Sequence, residues 1–115
     1  MKTNELTGAA LDWAVAQCEG EEVSVIRGQL ETRWTDNGWK PSTDWAQAGP
    51  IIEREKIALR YEPKCDWLFV PPQATWLANY EGVGEWDGPT PLIAAMRCYV
   101  ASCLGDEIEL PEELK

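Results

Sequence analysis

The clearest pattern of apolar positions lies near the C-terminal end of the chain. In "GPTPLIAAMRCYVASCLG", Gly88 to Gly105, Leu92, Met96, Tyr99 and Cys103 form one stripe at helical spacing. Ile93, Val100 and Leu104 form a second beside it, and Ala94, Ala95 and Ala101 keep the remainder small. Thr90 suits the N-cap, Pro91 the first helical position, where its missing N–H would be unsatisfied anyway, and Gly105 the stop. A helix apolar nearly all round is buried on more than one side. It therefore sits either at the centre of a domain or against a second copy of the chain, as a homodimer formed through this helix.

Upstream, a helix is predicted from about Asn4 to Cys18. Thr3 or Asn4 caps it, Glu5 suits the positive end of its dipole, and Leu6, Ala9, Ala10, Trp13 and Ala16 share a broad face that ends at Gly20. "VSVIR" and "LETRW" then read as two strands joined through Gly28-Gln29 as a type II′ hairpin, with a second turn at Asp36-Asn37-Gly38. Asp44 followed by Gln47 has the form of a capping box and predicts a helix with Trp45 in its first turn. Gly49-Pro50 either stops that helix or kinks it, and the kinked form running to about Glu55 is preferred.

"IALRY" alternates as a strand, with Ile57, Leu59 and Tyr61 inward and Arg60 outward, and "DWLFV" reads as another strand halted by Pro71-Pro72. From Gln73 to Gly88 the aromatic residues Trp76, Tyr80 and Trp86 follow neither period, which predicts a long aromatic-bearing loop; a short helix at "ATWLANY" is the alternative. The tail "DEIELPEELK" offers one short strand. Together these elements predict an α+β single domain over residues 1–115, with about three helices packed on a small antiparallel sheet.

Composition narrows the chemistry. A hydrophobic content of 44% with seven tryptophans among 115 residues argues against disorder. Histidine is absent, which excludes Ser-His-Asp and Cys-His nucleophile pairs and histidine-ligated metal. The four cysteines, Cys18, Cys65, Cys98 and Cys103, form no C-x-x-C pair and read as reduced, buried or idle thiols. The twenty acidic residues show no distinctive pairing, so no enzyme, cofactor or metal is expected; a two-carboxylate metal hydrolase has no motif to support it.

A formal charge of −10 without a Lys/Arg cluster disfavours long nucleic acid and anionic membranes. The N-terminal "MKTNELTG" lacks the apolar run of a signal peptide, and no segment approaches the length needed to span a bilayer, so the chain is expected to be soluble and cytoplasmic.

Arg97 is the one charged side chain in the Gly88–Gly105 stretch. At or beside a buried position its guanidinium needs partners. Either it pairs with an acid, Asp44, Glu53 or Glu55, and fixes the packing of the helix, or it faces a cleft and meets a carboxylate or phosphate.

In the ligand reading the binding residues are Arg97, Trp45, Asp44, Trp86, Thr90 and Arg60. Trp45 or Trp86 stacks on a base, Arg97 or Arg60 meets a phosphate, and the helix starts at Thr90 and Asp44 supply backbone N–H groups. The ligand would be small and anionic or nucleotide-like. In the alternative reading the acidic face and exposed tryptophans dock on a host protein and inhibit it.

The segments "ELTGAALDWAVAQCEG", "PSTDWAQAGPIIERE" and "GPTPLIAAMRCYVASCLGDEIELPEEL" resemble a small family of tailed-phage and prophage proteins named only as a domain of unknown function. The resemblance covers nearly the whole chain in three ordered motifs and departs mainly between Glu62 and Asp87. It implies an accessory phage product in the bacterial cytoplasm, such as a sponge that antagonises host defence signalling, and it carries no catalytic residues to transfer.

Overall fold

The computed structural model describes residues 2–20, 23–26, 29–32, 38–64, 73–80 and 84–111, the side chains of 24–26, 29–32, 62–64 and 73–75 excepted. After a 3-10 turn at Thr3–Glu5, helix α1 spans Gly8–Glu19, strands β1 and β2 span Val23–Ile26 and Gln29–Thr32, and α2 spans Trp45–Glu55. Strands β3, β4 and β5 follow at Ala58–Lys64, Gln73–Tyr80 and Gly84–Gly88, and α3 closes the order at Pro91–Leu104. The strands form a two-stranded hairpin β1-β2 and a three-stranded antiparallel sheet β3-β4-β5, so the expected α+β architecture is present.

Helix α3 is the centre of the fold. It packs on β3, β4 and β5 on one side and on α1 and α2 on the others, and Leu92, Ala94, Ala95, Met96, Cys98, Tyr99 and Val100 are all buried. Packing within one chain thus accounts for its apolar circumference over those residues, and a second copy is not required to cover them. The stripes give out in the last turn, where Cys103 and Leu104 are exposed. Both expected boundaries hold: Thr90 Oγ1 accepts the Ile93 N–H at 3.2 Å, and Gly105 N donates to Ala101 O at 3.0 Å.

The first helix differs from expectation. Thr3 does not cap a helix from Asn4; it is fully buried, donating through its hydroxyl to Gly105 O at 2.7 Å and through its backbone to Asp106 O at 2.8 Å. Leu6 is extended, and α1 begins only at Gly8. The stripe of α1 that the core takes up is Leu11, Ala14, Val15 and Ala16, together with the carboxylate of Asp12, whereas Ala9, Ala10 and Trp13 are half-buried. An alanine-rich helix carries little directional signal, and a buried acid inside the apolar face conceals it further. The stop at Gly20 is as expected, in the left-handed conformation that glycine adopts without steric cost.

Asp12 fastens the segment before α2. Its Oδ1 accepts the Ser42 N–H at 2.7 Å, and its main-chain carbonyl accepts the Trp39 indole N–H at 2.8 Å. Asp44 caps α2, accepting the Ala46 N–H at 2.9 Å. Gln47 does not reciprocate as in a capping box: its amide bonds to Lys40 N at 2.8 Å and to Gly38 O at 2.9 Å, stapling the preceding turn. The helix continues through Pro50 to Glu55, the extent preferred from the sequence, and Ala46, whose carbonyl Pro50 cannot serve, is an exposed residue.

The stretch expected as an aromatic loop is instead strands β4 and β5. Leu59, Ala78 and Trp86 pair in one row across the sheet on the side that meets α3, while Arg60, Asn79 and Glu85 lie exposed on the other. Alternation is present, yet alanine and asparagine toward the end of β4 dilute it, and both are poor strand formers. Ile57 and Leu59 face the core as expected, but Tyr61 is half exposed and meets Trp76 edge-on at 5.2 Å. Pro63 is tolerated because β3 is an edge strand.

In the first hairpin Ile26 pairs with Gln29, so Gln29 belongs to the strand and not to the turn. Residues 27 and 28, the turn positions 36 and 37, and the segment "DWLFV" with Pro71-Pro72 lie outside the described residues. Among its described residues the tail contributes a single bridge, Lys2 to Glu107, followed by buried Ile108 and Leu110.

Candidate functional site

The site begins with Arg97, which is 8% exposed. Its Nε donates to Leu6 O at 2.8 Å and an Nη to Asp87 O at 2.8 Å. Neither Asp44, Glu53 nor Glu55 bonds to it among the described contacts, so the expected acid bridge is replaced by two main-chain carbonyls. Burial lowers the guanidinium's pKa, and the nearby Asp87 charge partly offsets that. A guanidinium can serve two carbonyls from different segments because its donors are fixed in a planar fork. Arg97 therefore pins the N-terminal segment to β5, while Thr3 pins it to the chain after α3.

These attachments bring three distant pieces of sequence together around a cleft of about 440 Å³, lined by Lys2, Asn4, Trp86, Asp106 and Glu107. Trp86, on the edge strand β5, supplies a half-buried indole packed against the core. Around it stand two carboxylates, one ammonium and one side-chain amide, all on exposed residues. No ion pair among the described residues involves Lys2, Asp106 or Glu107. The lining is thus an aromatic surface with available charges of both signs and an excess of negative charge.

Of the six residues expected to bind a ligand, only Trp86 lines this cleft. Arg97 lies behind it as a brace. Asp44 and Thr90 have their side chains committed to capping α2 and α3. Trp45 is 54% exposed at the start of α2. Arg60 is on the open side of the sheet, 3.1 Å from Glu85. Lys2, Asn4, Asp106 and Glu107 carried no signal in the sequence, because their neighbourhood is created when the two ends of the fold close on each other. Among the described residues no group of three His, Cys, Asp or Glu is arranged to hold a metal ion, and no helix is long and apolar enough to cross a membrane.

The fold and cleft define a small acidic α+β protein with an aromatic recess where residues 2–4 meet β5 and residues 106–107. The profile of the phage family described as "Bacteriophage P22, NinX" matches residues 2–103, and the chain belongs to that family. The expectation of a phage protein family is borne out at that level. Comparison with curated proteins returned no match.

Proposed function

We propose that this phage protein is a non-enzymatic accessory protein that docks on a basic protein of the host, with the cleft beside Trp86 receiving a lysine or arginine side chain. The observation carrying this reading is the lining itself: an indole with two carboxylates that no described ion pair engages. A cation over an indole face gains from the ring quadrupole, and carboxylates at the rim add charge-assisted hydrogen bonds. The overall charge of −10 favours encounter with a basic surface.

The reading as a sponge for a small anionic or nucleotide-like ligand has less behind it, since the cationic and capping residues it invoked do not converge and, among the described residues, Lys2 is the one cation of the cleft. Calorimetric titration with an arginine-rich peptide, an acidic peptide and a nucleotide panel separates the two. Binding of the basic peptide, weakened about tenfold or more by Trp86→Ala and declining with salt, is expected. Binding of nucleotides alone would overturn the proposal in favour of the sponge.

A further inference from the structure

The C-terminal ends of α1 and α3 lie side by side, held by a compact polar cluster. Tyr99 OH donates to Glu19 Oε2 at 2.8 Å, and Arg54 from α2 grips the same carboxylate with two bonds, at 2.8 and 3.1 Å. Cys18 immediately precedes Glu19, and Cys103 lies one helical turn beyond Tyr99 on the same stripe of α3. The Glu19–Tyr99 bond draws together the ends of the two packed helices that carry Cys18 and Cys103, and the two thiols are close enough for Cys103 to act on the ionisation of Cys18. The Ser102 hydroxyl is 3.7 Å from the Cys103 sulfur. Cys103 is exposed and Cys18 half-buried, whereas Cys98 is fully buried in the core.

We propose that Cys18 and Cys103 are a dithiol pair that closes into an intramolecular disulfide when the chain meets a low-molecular-weight disulfide such as oxidised glutathione. Exposure makes Cys103 the thiol that such an oxidant reaches first. Its thiolate attacks one sulfur of the oxidant, a protein–glutathione disulfide forms, and the other glutathione leaves as a thiolate. Cys18 then attacks the Cys103 sulfur, expelling the second glutathione, which takes up the Cys18 proton. Two protein thiols are oxidised by two electrons, and one oxidised glutathione becomes two reduced ones.

Burial keeps Cys18 protonated, and the Cys103 charge adds to that, so Cys103 is the first attacker; once Cys103 is in the mixed disulfide its charge no longer opposes ionisation of Cys18. In a reducing cytoplasm such a bond is transient, forming only when the thiol–disulfide balance shifts. Its consequence is to weld the last turns of α1 and α3 beside the Arg54–Glu19–Tyr99 cluster.

The test incubates the full chain in graded ratios of oxidised to reduced glutathione, followed by acid quenching and peptide mapping by mass spectrometry without reduction. Wild type is expected to yield one Cys18–Cys103 cross-linked peptide, two hydrogens lighter than the two reduced peptides together. In Cys18→Ala the glutathione adduct on Cys103 is expected to persist, and in Cys103→Ser neither adduct nor cross-link should form at these positions. A wild-type protein that accumulates the adduct on Cys103 with no cross-link to Cys18, or that couples Cys103 between two molecules, would overturn the proposal.

Discussion

The carboxylate of Asp12 accepts the main-chain N–H of Ser42 at 2.7 Å at a position only 5% exposed to solvent. Burial raises its pKa from 3.8 to about 6, and the bond from Ser42 acts against that rise. The folded protein therefore holds this proton more tightly than the unfolded chain does. Stability from this group is greatest below about pH 4, declines as pH rises to about 6, and stays lower above it, with a span of about 3 kcal/mol. Asp12→Asn keeps an acceptor oxygen and removes the charge. Urea unfolding of both proteins between pH 4 and 8 should show the variant losing that decline; an identical slope in the two proteins would refute the assignment.

Arg97 is expected to govern stability more than any other charged residue. Replacing it by Met leaves the carbonyls of Leu6 and Asp87 without their donors, at a cost of about 3 kcal/mol or more. Arg97→Lys should recover only part of this, since an ammonium does not reproduce the planar fork. Denaturant midpoints check both. A wild-type midpoint in Arg97→Met would show that the brace is not needed.

Gly88 lies against the first turn of α3, where an added Cβ would come within 2.6 Å of Ala94 N and 3.0 Å of Ala94 Cα. Both atoms are backbone, so β5 or the helix must move. Gly88→Ala should destabilise the fold by about 2 kcal/mol. It should also displace Trp86, two residues before it, and lower affinity at the cleft. Thermal unfolding and peptide titration together test this.

Lys2 discriminates between cationic and anionic occupants of the cleft. If a lysine or arginine side chain enters beside Trp86, removing the neighbouring ammonium in Lys2→Ala tightens binding by a few-fold, whereas Asp106→Asn or Glu107→Gln weakens it by a similar factor. An anionic occupant reverses both signs. The measurement is the dissociation constant at two salt concentrations.

Much of the architecture was legible where local signals coincide. Thr90, Pro91 and Gly105 marked α3, Asp44 marked the start of α2, and the burial of Leu92, Met96, Tyr99 and Val100 followed from spacing alone. The β4–β5 hairpin was not legible, because Ala78 and Asn79 interrupt the run of strand-forming residues that would have announced it. The site was the least legible. Arg97 was rightly singled out as a buried cation, but its carbonyl partners come from Leu6 and Asp87, and a main-chain oxygen has no sequence signature. Trp86 was named from the sequence and lines the cleft, while the polar residues around it were not named, since they are neighbours only through tertiary closure.

That closure has a consequence for the topology of the molecule. With Lys2 bridged to Glu107 and Thr3 bonded to both Gly105 and Asp106, two segments 102 positions apart in sequence are joined by hydrogen bonds. Cysteines at the bridged, exposed positions, Lys2→Cys with Glu107→Cys, would close a loop of about a hundred residues and sharply restrict the denatured chain, so this cross-link should raise the melting temperature without redesigning a single packed side chain.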